Sequence, residues 1–131
     1  MITGGCQCRK IRFEYNGEID QIAMCHCSQC RKAQGGAFAC NCPVDASKLS
    51  ISGEAHLVEY ESSPGKVRAF CGTCGSPIYS KLRSVPTTKR LRIGTIDTPI
   101  LCKNKYHIYA DSKASWHDIT DDHKRFKKRK E

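Results

Sequence analysis

The chain has 131 residues, of which 39% are hydrophobic and 8% aromatic, and its formal net charge is +9 at pH 7. This length supports one domain with a modest core and excludes a second domain of ordinary size. No apolar run approaches the ~20 residues of a membrane-spanning helix. The chain opens with Met1-Ile2-Thr3-Gly4-Gly5-Cys6, which lacks the regions of a secretory signal. We therefore expect a soluble cytoplasmic protein whose thiols stay reduced.

Short alternating segments between turn residues predict a mainly β fold. Ile11, Phe13 and Tyr15 alternate with polar residues, and the Asn16-Gly17 pair that follows predicts a hairpin turn. Strands that recur at intervals of this kind indicate packed antiparallel sheets. Further strands are predicted at residues 19–24, 37–42, 49–52, 56–60, 67–70, 78–82, 91–96 and 107–110.

Helix is predicted at only two places in the chain. Ser28 is a candidate N-cap for a short helix through Arg31 and Lys32, and Gly35-Gly36 would end this helix. Residues 112–119 are a candidate for a second helical turn. Both segments are too short to contribute much of the core, so the fold class stays mainly β.

Seven of the ten cysteines lie in three clusters: Cys6-Gln7-Cys8, Cys25-His26-Cys27-Ser28-Gln29-Cys30 and Cys71-Gly72-Thr73-Cys74. Residues i and i+2 of an extended segment point to the same side, so a Cys-x-Cys pair can bind one ion. The Cys-x-x-Cys spacing suits a turn whose two sulfurs face one tetrahedral metal. By itself the third cluster is also compatible with a redox pair, but three clusters in one small chain favour metal. Thiolates select zinc, with an iron–sulfur centre as the alternative.

Seven thiolates divide naturally into a group of four and a group of three. A four-thiolate site is closed and structural, whereas three protein ligands leave a position for water or substrate. One turn can supply Cys25, Cys27 and Cys30 together, which makes them the natural three-ligand site. Cys6 and Cys8 would then form the four-ligand site with Cys71 and Cys74, although spacing alone does not prove this pairing. A fourth ligand from Cys40, Cys42, His26 or Cys102 would make the second site structural as well.

The other cysteines and histidines have simpler interpretations. Cys40 and Cys42 alternate in a predicted strand, and we interpret them as small packed residues rather than ligands. Cys102 is a lone thiol with no partner nearby in sequence. His107 is expected to pack or to form hydrogen bonds within a strand.

The positive charge is concentrated at the end of the chain. Residues 122–131 carry a net charge of +4, which leaves +5 on residues 1–121. If seven thiolates bind two zinc ions, the charge of residues 1–121 falls to about +2, which is too balanced for a nucleic-acid-binding face. We predict one domain of residues 1–121 and a flexible basic tail of residues 122–131, with at most weak nucleic-acid contacts and no membrane partner.

Four segments together resemble the glutathione-dependent formaldehyde-activating enzyme family. The first is Gly4-Gly5-Cys6-Gln7-Cys8 followed by Ile11-Arg12-Phe13, and the second is the run from Cys25 to Lys32 with Gly35 and Phe38. The third runs from Ser62 to Ser76, and the fourth runs from His107-Ile108-Tyr109 to Trp116. They occur in the family's order and span residues 4 to about 119.

The resemblance implies a fold, a set of zinc ligands and a reaction. The implied fold is a β-tent of stacked antiparallel sheets held by structural zinc. A structural zinc would be bound by Cys6, Cys8, Cys71 and Cys74, and a catalytic zinc by Cys25, Cys27 and Cys30, giving two ions per chain. The implied reaction joins glutathione to formaldehyde in aldehyde detoxification, and it is classed as a carbon–sulfur lyase reaction run in reverse.

The chemistry of an open zinc site agrees with that activity. Metal coordination ionises a thiol, and zinc can also polarise a carbonyl oxygen. Three cations lie beside predicted ligands in sequence and are candidates to bind a substrate carboxylate: Arg31, Lys32 and Arg68. The alternative hypothesis is a non-catalytic zinc module that binds a protein or a nucleic acid.

Overall fold

The computed structural model describes residues 1–130, which form two β-sheets, one α-helix and four short 3₁₀ helices. The α-helix is α1 (Ser28–Gln34), and the 3₁₀ helices are Ala46–Lys48, Glu54–His56, Ile93–Thr95 and Ala110–Ser112. The strands are β1 (Ile2–Gly5), β2 (Arg12–Tyr15), β3 (Ile22–Cys25), β4 (Ala39–Asp45), β5 (Leu49–Ser52), β6 (Leu57–Ser63), β7 (Lys66–Cys71), β8 (Pro77–Leu82), β9 (Thr88–Arg92), β10 (Lys105–Ile108) and β11 (Lys124–Arg125).

The two sheets confirm the predicted mainly β fold. The small sheet has the antiparallel order β1-β2-β5, and the large sheet has the order β11-β10-β3-β4-β9-β8-β7-β6. In the large sheet β10 runs parallel to both β3 and β11, and the other pairings are antiparallel. The two sheets share one core, because Phe13 of the small sheet is buried in the same cluster as Ile78 and Leu91 of the large sheet.

Most predicted strands are present, but the predicted hairpin at Asn16-Gly17 is wrong. The strand at residues 49–52 was predicted with its correct bounds, and the segment at 91–96 instead turns into a 3₁₀ helix after Arg92. β2 pairs with β1 and β5, while β3 belongs to the large sheet. The chain therefore leaves the small sheet after Tyr15 and crosses to the large one. An Asn-Gly pair marks a turn but does not identify which strand pairs with which.

The predicted short helix is present as α1, and it is capped at both ends. The predicted N-cap Ser28 is wrong by one residue: Cys27 is the N-cap, because its Sγ accepts a hydrogen bond from the Cys30 N–H at 3.3 Å. Gly35 ends the helix with a φ of 74°. The predicted helical turn at residues 112–119 is displaced: a 3₁₀ helix ends at Ser112, and one further turn closes at His117. Within residues 1–130 no helix has the length and apolar character that a membrane crossing requires.

The basic segment at the end of the chain was expected to be a flexible tail, but the structure places much of it against the sheet. β11 pairs with β10, and the Lys128 carbonyl accepts a hydrogen bond from the Tyr109 N–H at 2.7 Å. The Phe126 N–H also donates to the carbonyl of His107 at 2.9 Å. Backbone pairing of this kind holds the segment on the sheet while its charged side chains stay exposed. The domain boundary at residue 121 stays a prediction, and Glu131 lies outside the described residues.

Gly53 gives a direct test of the packing between β5 and the loop before β2. Its φ is 79°, and a Cβ built on it would lie 1.8 Å from the Lys10 carbonyl oxygen. We expect Gly53→Ala to lower the free energy of unfolding by at least about 1–3 kcal/mol, since strain at positive φ alone has that magnitude. The midpoint of urea unfolding measures this loss. Gly36→Ala is the matched control, because its Cβ would meet no atom within 4 Å; equal losses in both variants would contradict the prediction.

Candidate metal centres

Four cysteines from the two sheets meet in one group, which we call the four-thiolate cluster: Cys6, Cys8, Cys71 and Cys74. Cys6 and Cys8 follow β1, whereas Cys71 ends β7 and Cys74 lies in the turn before β8. Their sulfurs all lie within 4.8 Å of one another, with 3.5 Å between Cys6 and Cys8 and 3.8 Å between Cys8 and Cys71. Sulfurs that bind zinc tetrahedrally are about 3.8 Å apart. The group therefore fits one tetrahedral zinc ion.

Hydrogen-bond donors around the four-thiolate cluster favour charged sulfur. The Ile11 N–H donates to Cys6 Sγ at 3.3 Å, and the Cys74 N–H donates to Cys71 Sγ at 3.5 Å. Ser76 lies 3.2 Å from Cys74 Sγ, and hydrogen bonds from Ser76 lower the pKa of Cys74 to about 5. A thiolate is the form that binds a metal, so the local backbone is already arranged for metal ligation.

The second group, which we call the three-thiolate cluster, is built by one short segment: Cys25, Cys27 and Cys30. Cys25 ends β3, Cys27 caps α1, and Cys30 lies in the first turn of α1. The three sulfurs lie within 4.8 Å of one another, and those of Cys25 and Cys27 are 3.5 Å apart. Contacts with Cys27 and Cys30 raise the pKa of Cys25. A cation is therefore needed to hold all three as thiolates, which is the chemistry of a metal site.

Within residues 1–130, no fourth histidine, cysteine, aspartate or glutamate joins the three-thiolate cluster. Cys42 is buried in the main core, where its sulfur lies 3.8 Å from the carbonyl of Leu91. Cys102 lies 3.8 Å from the carbonyl of Asn104. The described residues thus offer three candidate ligands here, and a tetrahedral metal held by them would have one position left for another molecule.

The predicted substrate-binding cations occupy different positions around the three-thiolate cluster. Arg68 is 4% exposed, and its Nη2 donates to Cys30 Sγ at 3.5 Å while its Nε donates to Ser62 Oγ at 3.0 Å. Arg31 donates from Nε to the carbonyl of His26 at 3.3 Å. Lys32 is exposed on α1. Hydrogen bonds with Cys25 and Cys27, together with Arg68, lower the pKa of Cys30.

Two buried histidines and an exposed carboxylate form a hydrogen-bonded chain beside the three-thiolate cluster. Nε2 of His107 is 3.0 Å from both carboxylate oxygens of Asp121, and Nδ1 of His107 is 2.8 Å from Nε2 of His26. Because the carboxylate only accepts, His107 donates to it from Nε2. Burial, followed by the nearby His107 and His117, lowers the pKa of His26 to about 4. This lowered pKa favours the neutral form of His26, whose hydrogen bond to His107 anchors the chain between Cys25 and Cys27.

The hydrogen-bonded role predicted for His107 is confirmed, but its partners could not be read from the sequence. His26 is 81 residues away along the chain, and Asp121 lies in the segment that precedes β11. The only local signal was that His26 interrupts a cysteine motif at the end of a buried strand. That position is compatible equally with a ligand and with a packed residue.

The comparisons with known proteins agree with this geometry. A model of the family described as glutathione-dependent formaldehyde-activating enzyme matches residues 1–112. A protein of Halomonas elongata that carries the same family name is 29% identical over 128 residues, which cover 91% of this chain and 81% of that protein. An uncharacterised lyase of Schizosaccharomyces pombe is 32% identical over 79 residues, covering 58% of this chain and 54% of that one.

A solved structure supports the fold independently. A Rhodobacter sphaeroides protein of known crystal structure superposes with a TM-score of 0.62 at 24% identity, covering 74% of this chain and 89% of that one. At this identity the likeness concerns the fold only. The family match extends over most of the chain, including all seven cysteines of the two clusters. The chain belongs to the glutathione-dependent formaldehyde-activating enzyme family.

Proposed function

We propose that this protein is a zinc-dependent enzyme of the carbon–sulfur lyase type that joins a thiol such as glutathione to an aldehyde such as formaldehyde. The observation that carries the proposal is the three-thiolate cluster, which has three ligands from the described residues and a buried arginine at its edge. The family supports an enzyme of the lyase type. The proposed reaction forms one bond between the thiol sulfur and the aldehyde carbon, and the thiol proton ends on the former carbonyl oxygen.

Two zinc ions per chain are part of the proposal. Cys6, Cys8, Cys71 and Cys74 would hold the structural ion, and Cys25, Cys27 and Cys30 the catalytic one. Zinc bound by the second group supplies a Lewis acid that favours the thiolate form of a substrate and polarises a carbonyl. Sulfur-to-sulfur distances of 3.5–3.8 Å support zinc at the first group, and the open position supports substrate binding at the second.

The side chains of the protein itself perform three tasks in this proposal. Arg68 holds negative charge next to Cys30, because its guanidinium stays protonated and is removed from water. His26, fixed by His107, keeps Cys25 and Cys27 at their spacing. Arg31 and Lys32 lie on α1, outside this contact, and we propose them as candidates to bind a more distant carboxylate of the substrate.

A panel of thiols and aldehydes followed by NMR tests the proposal. Zinc-loaded protein with ¹³C-formaldehyde and glutathione should accelerate the exchange between free and thiol-bound formaldehyde over the uncatalysed rate. A panel in which no pair exchanges faster with the protein than without it would count against an enzyme of this type.

The alternative, a non-catalytic module, makes a different prediction at the basic segment. Deleting residues 122–131 would remove β11 from the sheet. Substituting exposed charged residues is therefore the better test. Changing Lys127 and Arg129 to Gln should leave thiol–aldehyde exchange unchanged, since both residues are exposed and lie after β11. Loss of binding to nucleic acid in this variant, with no exchange activity in the parent, would favour the module.

A further inference from the structure

Three basic side chains from β7 and β9 lie close together beside the three-thiolate cluster, and we call them the cationic cluster: Lys66, Arg68 and Arg92. Arg68 and Arg92 are only 4% and 3% exposed, and Lys66 is half-buried. β8 lies between the two strands, and its Ser80 is paired in register with Arg68. Nη1 of Arg92 donates to Ser80 Oγ at 3.4 Å, so the Arg92 guanidinium lies against the residue that pairs in register with Arg68.

Within residues 1–130, no carboxylate lies within 4.0 Å of any member of the cationic cluster. Arg92 instead donates to the side chains of Asn41 and Ser80. Arg68 donates to Ser62 and to Cys30 Sγ, but its Nη1 is buried with no hydrogen-bond partner. A buried guanidinium cannot lose its proton, and buried charges in proteins are normally paired. The unpartnered Nη1 therefore marks a place for an anion.

The metal site does not supply enough negative charge to balance these side chains. A zinc ion held by three thiolates carries one excess negative charge, whereas the cationic cluster carries three positive ones. Burial, together with the nearby Arg90 and Arg68, lowers the pKa of Lys66 to about 8. Burial also lowers the pKa of Arg92. Burial is the largest cause of both shifts, and the negative charge of Cys30 opposes them without cancelling them.

We propose that the cationic cluster binds a carboxylate of the substrate, so that the enzyme selects reactants that carry a carboxylate. This inference rests on the proposed function and names its substrate class. Arg68 contacts Cys30 through Nη2, while its Nη1 has no partner. A carboxylate oxygen that accepts from Nη1 would therefore be one guanidinium group away from Cys30. The carboxylate belongs either to the thiol, as in glutathione, or to the aldehyde, as in glyoxylate. Both sources offer the planar acceptor pair that arginine recognises.

Binding without turnover tests the site directly. In calorimetric titrations of the zinc-loaded protein, acetate should bind and its neutral counterpart acetamide should not. S-methylglutathione, which carries carboxylates but no free thiol, and glyoxylate identify the source, since the true donor should bind more tightly than acetate. The diethyl ester of S-methylglutathione should lose this advantage if the thiol supplies the carboxylate.

Substitutions connect that binding to the cationic cluster. Arg92→Gln should weaken the binding of the preferred probe about tenfold or more, because it removes a charge-assisted hydrogen-bond donor. Arg83→Gln, which removes the same charge from a side chain that is 63% exposed, should leave the affinity unchanged. If Arg92→Gln fails to fold, Lys66→Met serves instead. It removes a charge that burial already disfavours, so it should fold and still weaken binding.

The outcomes separate this inference from the proposed function. Equal binding of acetate and acetamide, or unchanged affinity in both Arg92→Gln and Lys66→Met, would overturn the carboxylate site even if thiol–aldehyde exchange is catalysed. Selective carboxylate binding that these variants weaken, with no exchange for any thiol–aldehyde pair, would support the site and reject the proposed reaction.

Discussion

Replacing Cys71 by serine is expected to remove one of two bound zinc ions and to unfold the protein under conditions in which the parent is folded. Cys71 is fully buried, and its cluster ties the segment after β1 to the turn between β7 and β8. Structural zinc contributes about 10–16 kcal/mol in zinc-finger peptides, which is comparable to the whole stability of a domain, about 5–15 kcal/mol. Elemental analysis of the purified protein and circular dichroism on heating measure the two effects.

Cys42→Ser is the matched control for this experiment. Cys42 is as buried as Cys71 and belongs to the same core, but it lies outside both clusters. A serine hydroxyl there can still donate to the Leu91 carbonyl, as the thiol does, so we expect a loss of only about 1–3 kcal/mol and unchanged zinc content. Two zinc equivalents retained by Cys71→Ser, or one lost from Cys42→Ser, would show that the four-thiolate cluster is assigned wrongly.

Replacing Cys27 by serine is expected to abolish activity while the fold survives. Cys27 is both a predicted ligand and the N-cap of α1, and serine is a preferred N-cap residue. The free energy of unfolding should therefore change by no more than about 1 kcal/mol. The rate of thiol–aldehyde exchange should fall more than about a hundredfold, because loss of outer contacts to a metal ligand alone costs 10–100-fold.

The choice of serine rather than alanine separates capping from metal binding. Cys27→Ala should lose the hydrogen bond from the Cys30 N–H as well, and so be less stable than Cys27→Ser by about 0.5–2 kcal/mol. Cys40→Ser, which changes a half-buried thiol outside both clusters, should keep both activity and zinc. Full activity in Cys27→Ser would mean that the three-thiolate cluster is not the reaction site.

Local spacing allowed much of the metal chemistry to be predicted. Cys25, Cys27 and Cys30 are brought together by the end of a strand and the first turn of a helix, and both are short-range structures. The pairing of Cys6 and Cys8 with Cys71 and Cys74 is not local, since the two pairs are more than 60 residues apart. The division of seven thiolates suggested this pairing without proving it, and the family resemblance implied it before the structure placed the four sulfurs within 4.8 Å.

Contacts between distant strands could not be predicted in the same way. Arg92 was not a candidate, because it comes near Arg68 only when β8 pairs with β7 on one side and with β9 on the other. The contact between His26 and His107 depends on the parallel pairing of β3 with β10. Hydrophobic alternation shows that a segment is a strand and which face is buried, but it carries no information on the neighbouring strand. The wrong hairpin at Asn16-Gly17 has the same cause.

The parallel pairing of β3 with β10 also sets how late in synthesis the three-thiolate cluster is covered. The four-thiolate cluster has all its ligands once Cys74 has left the ribosome. The three-thiolate cluster has its ligands much earlier, but Ile108 and Tyr109, which pack against it, follow some 80 residues later. At ~5–20 residues per second that delay is roughly 4–16 s. Until then the three thiols lack this cover against oxidants and competing metals.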